Sequence, residues 1–194
     1  CEPGSSGNVA RSAMRSSTAV TVRMFVPSTA RGSTPAALPP PAGSEAVIPA
    51  GEDVTDVARW DAVLAAIHAR WGGLDVTVNN AGIVQMGDIE TCTAKDWART
   101  IEINLTAVMT GTQKSVERMK ARGGGSIINL ASIEGLIGES FALAYNASKG
   151  GVRIFSKSAA IHCARAGYGI RINCVCPGFI ETPMVGNAIG GLGA

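Results

Sequence analysis

The chain has 194 residues with a formal net charge of +2, and 46% of its residues are hydrophobic. This length and apolar content favour one packed α/β domain over a disordered or fibrous chain. No block of like charge stands out, so nothing indicates binding to nucleic acid or to an anionic membrane. No uncharged apolar stretch approaches the roughly 18–20 residues that a membrane span needs.

The five cysteines are an odd number and lack the paired spacing of a metal site; they are Cys1, Cys92, Cys163, Cys174 and Cys176. Because Cys174 and Cys176 are two apart in an apolar run, a strand places them on the same side. We interpret them as small buried thiols rather than as a redox pair. The sequence therefore predicts no metal site and a reducing, cytoplasmic setting.

Residues 1–41 differ in composition from the rest of the chain, since they hold six of the nine prolines and a single acid, Glu2. Only AVTVRMFV has a clear period, which predicts a half-buried strand over residues 20–26. No amphipathic helix fits residues 28–41. We hypothesise that much of residues 8–41 is badly diverged from its family or is not a native reading frame. We expect residues 1–194 as a whole to form one domain.

From about residue 43 the pattern becomes regular, and the first clear element is a helix. Apolar side chains at spacings of three and four predict one buried face, formed by Val57, Trp60, Val63, Leu64, Ile67 and Trp71. Thr55 is the expected N-cap, and Gly72 and Gly73 are expected to end the helix.

The following segments alternate between strand and helix. LDVTVNNAG predicts a strand and a turn, and a long helix begins at Thr93 and ends at three glycines. SIINLAS has the continuous apolar run of a strand buried on both faces. ALAYNASKGGVRIFSKSAAIHCARAG predicts a second long helix, and IRINCVCPGFIETP predicts a strand broken by Pro177. This order predicts a parallel sheet with crossover helices, whose ligands bind beyond the carboxyl ends of the strands.

Tyr145 and Lys149 are four residues apart on the second long helix, so they share one helix face. A free phenol has a pKa of about 10, which is too high for ready proton exchange near neutrality. We expect the Lys149 ammonium, and any cationic cofactor ring, to lower the pKa of Tyr145. Tyr145 could then act as a general acid or base.

Three further features of the sequence accompany this pair. Ser132 ends a buried strand, where its hydroxyl could hold a substrate carbonyl against Tyr145. In NNAG, Gly82 permits close approach to a ligand, and the amides of Asn79 and Asn80 can fix the turn. Asn104 lies inside a long helix, where asparagine has poor propensity, so it could bend the helix or bind a water.

Taken together, these residues resemble the short-chain dehydrogenase/reductase family from Asp53 to Thr182. The matching motifs are DVTD, NNAG, INLTA, INLAS, YNASK and PGFIETP. The resemblance implies an α/β fold with a Rossmann-like, doubly wound parallel sheet and a family-like core over residues 43–182. It also implies a nicotinamide dinucleotide, NAD by similarity to 3(or 17)β-hydroxysteroid dehydrogenases, with NADP left open.

The resemblance further implies residue roles. Tyr145 would exchange the substrate proton, and Ser132 would orient the carbonyl or hydroxyl. Lys149 would bind the nicotinamide ribose and lower the pKa of Tyr145, while Asn104 would hold a water that relays protons from Lys149. With Tyr145 and Lys149, the implied dinucleotide contacts run from the phosphates and adenine to the nicotinamide: Gly7, Asp53, Val54, Asn80, Ala81, Gly82, Pro177, Gly178, Ile180 and Thr182.

The sequence departs from the family pattern at both ends. The family's glycine-rich loop, T-G-x3-G-x-G, is represented only by PGSSGNVARSA, in which Gly7 stands about where a phosphate-binding glycine is expected. The chain stops soon after Thr182, where the family continues with a substrate-covering helix and a final strand. We therefore expect an incomplete sheet whose first and last strands are degraded or missing.

The segment between Ser132 and Tyr145 is expected to line the substrate pocket, and its apolar residues favour an apolar alcohol or ketone: Leu136, Ile137, Phe141 and Leu143. A hydroxysteroid or cyclic alcohol is the leading substrate class. A 3-oxoacyl-carrier-protein reductase is the alternative enzyme, and an inactive fragment that binds no dinucleotide is the alternative outside catalysis. The resemblance also implies a homodimer or homotetramer.

Overall fold

The computed structural model of the chain describes residues 21–22, 46–47 and 53–180. The strands are β1 (Thr21–Val22), β2 (Ala46–Val47), β3 (Val76–Asn79), β4 (Gly125–Leu130) and β5 (Ile170–Val175). The α-helices are α1 (Val57–Trp71), α2 (Ala94–Ile101), α3 (Ala107–Lys120) and α4 (Leu143–Arg165). A π-helical turn covers Glu102–Thr106, and a 3-10 turn covers Ile133–Gly135. Apart from β1, the predicted strand over 20–26 lies outside the described residues, as do Gly7 and Thr182.

A three-stranded parallel sheet forms the centre of the described structure, in the order β3-β4-β5. Asn79 pairs with Asn129, and Asn129 pairs with Cys174, so all three strands end at the same edge. The segment from α2 to α3 connects β3 to β4, and α4 connects β4 to β5. The predicted parallel sheet with helical crossovers is therefore confirmed. β1 and β2 form a separate antiparallel pair.

Helix α1 packs one face on the core and ends as predicted. Trp60 is buried with Leu64 and Ile67, and Gly72 ends the helix with φ 77°, a conformation that favours glycine. The predicted N-cap was wrong, because Asp56, not Thr55, accepts from the first free N–H groups. Val57, expected on the buried face, is 49% exposed because it occupies the first position after the cap.

The long helix predicted from Thr93 begins there, since Thr93 Oγ1 accepts from the backbone N–H of Asp96 at 3.1 Å. It is not continuous, however. The π-helical turn of Glu102–Thr106 separates α2 from α3 and buries both Ile103 and Asn104. Such wide turns inside helices are frequent at functional sites, and this one places Asn104 beside the loop that follows β3.

The main core lies between α1, the sheet and the helices packed on it. Its largest fully buried apolar side chains are Leu64, Ile67, Leu74, Met119 and Ile127. Burying each such side chain contributes roughly 1.5–3 kcal/mol to folding. Cys174 and Cys176 are half-buried against a second cluster that includes Val152, so they pack as apolar thiols.

Within the residues that the structure describes, no helix is both long and apolar enough to span a membrane. The same part of the chain holds no group of three or more His, Cys, Asp or Glu side chains that could bind a metal ion. Its four cysteines are all free thiols: Cys92, Cys163, Cys174 and Cys176.

Candidate active site

Lys149 lies almost completely buried beneath Tyr145 on α4. Lys149 is only 4% exposed, and its Nζ lies 5.5 Å from the centre of the Tyr145 ring. Nζ donates to the carbonyl oxygen of Leu130, the last residue of β4, at 2.8 Å. Burial lowers the pKa of Lys149 from 10.5 to about 8, and the nearby Cys174 side chain acts weakly in the opposite direction. The Tyr145–Lys149 pair therefore lies at the carboxyl end of β4, the central strand.

The pKa of Tyr145 is raised above its ordinary value of 10.0 in the chain by itself. Burial is the largest cause, a hydrogen bond with the Ser132 side chain opposes it, and the charge of Glu134 raises the pKa further. The predicted lowering by Lys149 is wrong for the chain alone, because the ammonium is directed at the Leu130 carbonyl rather than at the phenol oxygen. The structure nevertheless confirms that the two side chains lie together.

Ser132 follows β4 and is buried next to Tyr145. Its hydroxyl caps the 3-10 turn by accepting from the backbone N–H of Glu134 at 3.1 Å. This turn lies directly on α4, because a Cβ added at Gly135 would come within 2.7 Å of the Lys149 carbonyl carbon. The absence of a side chain at Gly135 therefore lets Ser132 approach the Tyr145 face of the helix.

Asn104 is fully buried, and both atoms of its amide are bonded. Oδ1 accepts from the Ile83 N–H at 2.8 Å, and Nδ2 donates to the Ile83 carbonyl at 2.8 Å and to Ser148 Oγ at 3.1 Å. These bonds join the π-helical turn to the loop after β3 and to α4. Asn104 thus holds three separate segments of the site in place.

Gly82, in the NNAG motif, lies against both Asn104 and Lys149. A Cβ added there would lie 3.4 Å from Asn104 Oδ1 and 3.4 Å from Lys149 Nζ. The backbone after β3 therefore approaches the buried ammonium closely. This closeness fits a dinucleotide whose ribose lies along that backbone within reach of the lysine.

Predicted contacts from the segment before α1 and from the loop after β3 also come together. Val54, Asn80 and Ala81 line one small cleft above the buried Trp60, whose indole Nε1 donates to the Val54 carbonyl at 3.0 Å. Asp53 is exposed beside them, and the pKa of its carboxyl is lowered because it accepts from the hydroxyl and backbone N–H of Thr55. Asn79 also lines this cleft, and its buried Nδ2 donates to Asn129 Oδ1 at 2.8 Å.

The segment after β5 reaches the site through its backbone. The carbonyl of Pro177 accepts from the Ile133 N–H at 2.8 Å, which places Pro177 beside the turn that carries Ser132. Gly178 and Ile180 follow it on the surface, and Ile180 is 58% exposed.

The predicted substrate-lining residues divide into two groups. Phe141 and Leu143 are half-buried near the start of α4. Leu136 and Ile137 are 50% and 51% exposed, so they form an open apolar surface rather than a closed wall.

Sequence reasoning missed two polar residues of this site. Ser148 is fully buried and donates to the Tyr145 carbonyl at 2.7 Å while it accepts from Asn104. Glu134 lies two residues after Ser132, and its charge acts on Tyr145. An acid within the apolar run IEGLIG was the available signal for Glu134, whereas Ser148 could be identified only from its contacts.

Known proteins that resemble this chain include two dehydrogenases and a reductase. The NADP-dependent (R)-specific alcohol dehydrogenase of Lentilactobacillus kefiri is 45% identical over 134 residues, which cover 69% of this chain and 53% of that protein. The cyclopentanol dehydrogenase of Comamonas testosteroni is 42% identical over 132 residues, covering 68% and 52%. The crystal structure of levodione reductase superposes with a TM-score of 0.69 at 37% identity, covering 73% of this chain and 54% of that one.

These matches establish the Rossmann-like α/β fold. The chain spans about half the length of the curated relatives it matches. The sequence profile of a family described as short chain dehydrogenase matches residues 9–190. Because that match covers most of the sequence, the chain belongs to the short chain dehydrogenase family.

Proposed function

We propose that this chain carries the catalytic site of an NAD(P)-dependent oxidoreductase that interconverts an apolar secondary alcohol and its ketone. The observation that supports this most is the convergence of Ser132, Tyr145 and the buried Lys149 at the carboxyl end of β4. Two neighbouring hydroxyls beside an ammonium suit proton exchange with a carbonyl oxygen.

In the proposed reaction, Ser132 donates a hydrogen bond to the substrate oxygen and holds it against the Tyr145 hydroxyl. Tyr145 gives its proton to that oxygen during reduction and takes it back during oxidation. The nicotinamide, when bound, supplies or accepts the hydride. Because burial raises the pKa of Tyr145, the phenol holds its proton firmly until another positive charge lies beside it.

Lys149 and Asn104 are proposed to prepare the cofactor side of this site. Lys149 would donate to the nicotinamide ribose, since its Nζ lies beside Gly82 with one bond to Leu130. Asn104 would hold the loop that carries Gly82 through its bonds to Ile83. The proton-relaying water that the resemblance implies for Asn104 stays a prediction.

We propose NAD as the cofactor, with NADP as the alternative supported by the name of the kefiri relative. Val54, Asn80 and Ala81 lie close together and would contact the adenosine end, with the exposed Asp53 next to Val54. Pro177, Gly178 and Ile180 would lie towards the nicotinamide end; the proposed phosphate contact Gly7 and the contact Thr182 belong to segments outside the described residues.

The proposed substrates are cyclic alcohols and hydroxysteroids. Relatives named for such activities include the Comamonas cyclopentanol dehydrogenase and a 3-beta-hydroxysteroid dehydrogenase of the same species, which is 42% identical over 133 residues. The apolar surface of Leu136 and Ile137 suits them. The carrier-protein alternative would need a basic patch, whereas the charged residues on the loop next to Ser132 are Glu134 and Glu139.

We also propose a reducing, cytoplasmic setting and a homodimer or homotetramer. The free thiols among the described residues support the first proposal. Ile154 and Ile161 support the second, because they lie two turns apart on α4 and are 56% and 53% exposed.

A fluorescence titration with NADH and NADPH, followed by an oxidation assay with cyclopentanol, cyclohexanol and a 3-hydroxysteroid, tests the proposed function. We expect saturable binding of at least one dinucleotide and turnover of the neutral alcohols. Absence of dinucleotide binding by the folded full chain would contradict the proposal and support the inactive-fragment alternative.

A further inference from the structure

Ser148 carries a buried hydroxyl on α4 and lies between Tyr145 and Lys149 in the chain. It is fully buried, and its hydroxyl makes two hydrogen bonds. The Oγ donates to the Tyr145 carbonyl at 2.7 Å and accepts from Asn104 Nδ2 at 3.1 Å. Because Ser148 is inaccessible, any effect that it has on the reaction must act through the groups that it contacts.

The hydrogen bonds of Ser148 and Asn104 have a fixed direction. The Ile83 N–H can only donate, so it identifies Asn104 Oδ1 as its acceptor and leaves Nδ2 to donate to Ser148. The single proton of the Ser148 hydroxyl then goes to the Tyr145 carbonyl. One chain of hydrogen bonds consequently runs from the loop after β3 to the backbone of Tyr145.

Two consecutive residues attach this turn of α4 to different parts of the site. Ser148 joins it to the π-helical turn through Asn104. Lys149 Nζ joins it to the end of β4, by donating to the Leu130 carbonyl at 2.8 Å. Satisfied buried networks rigidify the segments that they connect, so the turn that carries Tyr145 is held in one place.

Ser156 has the same bonding pattern two turns further along α4. Its Oγ donates to the Val152 carbonyl at 2.7 Å and accepts from Asn129 Nδ2 at 3.0 Å, and the residue is 2% exposed. Neither of these partners belongs to the proposed catalytic group. The two serines therefore share their chemistry and their burial, but only Ser148 is bonded to the backbone of Tyr145.

We propose that Ser148 is a positioning residue that holds the Tyr145 hydroxyl in place for proton exchange by linking the Tyr145 backbone to Asn104. The proposal rests on the proposed function, in which Tyr145 exchanges the substrate proton. A displacement of about 1 Å in a reacting group can lower a rate by about 100-fold, so a small movement of this turn should be measurable. Asn104 keeps both bonds to Ile83 without Ser148, so the loop after β3 should stay in place.

The test compares Ser148→Ala with Ser156→Ala in the full chain. We expect S148A to lower the single-turnover rate constant of cyclopentanol oxidation by roughly tenfold, with little change in dinucleotide binding. S156A should unfold at a lower urea concentration than S148A, because it removes the one hydrogen bond that Asn129 Nδ2 makes among the described residues. Its rate constant should nevertheless stay near that of the wild type. Equal losses of rate in the two variants, or a wild-type rate in S148A, would overturn the role of Ser148.

A second measurement decides the proposal even without turnover. The chain has two tyrosines, so Tyr168→Phe leaves Tyr145 as the only phenol, and its ionisation can be followed by ultraviolet absorbance. Burial is the largest cause that raises the pKa of Tyr145, so a loosened turn should lower the titration midpoint in S148A and not in S156A. An unchanged midpoint in S148A would overturn the proposal. A wild-type chain that binds the dinucleotide but oxidises no alcohol would count against the proposed function instead.

Discussion

The two sides of the candidate site differ in how completely their polar groups are bonded. On the proposed cofactor side, Asn104 is buried with both amide atoms bonded, and Asn79 is buried with its Nδ2 donating to both Thr112 and Asn129. On the proposed substrate side, Glu134 Oε2 and Asn146 Oδ1 are buried and have no hydrogen-bond partner among the described residues. One edge of the sheet therefore combines bonded buried amides with a neighbouring segment, the turn after β4 and the start of α4, in which two acceptors are not bonded.

This difference indicates that the two sides of the candidate site have different structural roles. Asn104 joins the loop after β3 to α4 through its bonds to Ile83 and Ser148, and satisfied buried networks of this kind rigidify the segments that they connect. The loop between Ser132 and Tyr145 instead exposes Leu136 and Ile137 and includes the unpaired acceptor Glu134 Oε2. Variants that exchange or remove these features test this difference directly.

The largest expected effect comes from Tyr145→Phe, which removes the proposed proton donor between the two sides. Turnover should fall by about 100- to 10,000-fold, the usual contribution of a general acid or base, while dinucleotide binding measured by fluorescence persists. Tyr168→Phe is the matched control, because Tyr168 packs against His162 at the far end of α4. Equal loss of turnover in both variants would contradict the assignment.

The contrast between the bonded and unbonded sides predicts unequal costs for two asparagines. Asn104→Ala leaves the N–H and C=O of Ile83 unpaired, which should reduce the free energy of unfolding by about 3–4 kcal/mol. Asn146→Ala breaks one bond to Glu139 and removes an unpaired acceptor, so its cost should be no more than about 1 kcal/mol. Urea unfolding measures both, and similar losses would remove the distinction between the two sides.

Lys149 is expected to reduce stability at neutral pH. The pKa of the folded lysine is about 8 against 10.5 as its ordinary value, so between these pH values the unfolded state binds more protons and stability rises with pH. Relative to the wild type, Lys149→Met should therefore gain about 3 kcal/mol at pH 7, less the lost bond to Leu130. This advantage should shrink as pH rises from 8 to 10.5; a difference independent of pH in urea titrations would refute it.

The smallest effects concern the glycines that let the turn after Ser132 meet α4. Gly135→Ala should destabilise by about 1–3 kcal/mol, because its Cβ would come within 2.7 Å of the Lys149 backbone. Gly150→Ala should be neutral or stabilising by up to about 1 kcal/mol, since its Cβ meets only the Gly135 carbonyl at 3.7 Å. Thermal unfolding compares them, and the reverse order would show that the turn does not pack on α4 as described.

Much of the fold follows from patterns that a single sequence carries. The period of α1 and the short apolar strands identify elements and topology because each depends on which faces are buried. The cap at Asp56 was not predictable in the same way, because Thr55 is an equally good capping residue until Asp53 is seen to bind its hydroxyl. The π-helical turn was also missed, since only the buried partners of Asn104 show why that helix widens.

The candidate site shows more clearly which features a single sequence does not predict. The spacing of Tyr145 and Lys149 correctly predicts that they lie together, but the direction of the Tyr145 pKa depends on burial and on Glu134. The Glu134 contribution comes from the 3-10 turn after β4, which is separate from the helix that carries Tyr145. Neither the environment of a side chain nor an unpaired oxygen can be inferred from spacing alone.

The most direct test of the account is a titration of the Tyr145 phenol in the Tyr168→Phe background, with and without saturating NAD+ or NADP+. We expect a midpoint above 10.0 for the chain alone and a clearly lower midpoint once the cationic nicotinamide lies beside the phenol and Lys149. A midpoint that stays unchanged in a chain that demonstrably binds the dinucleotide would contradict the proposal that Tyr145 exchanges the substrate proton.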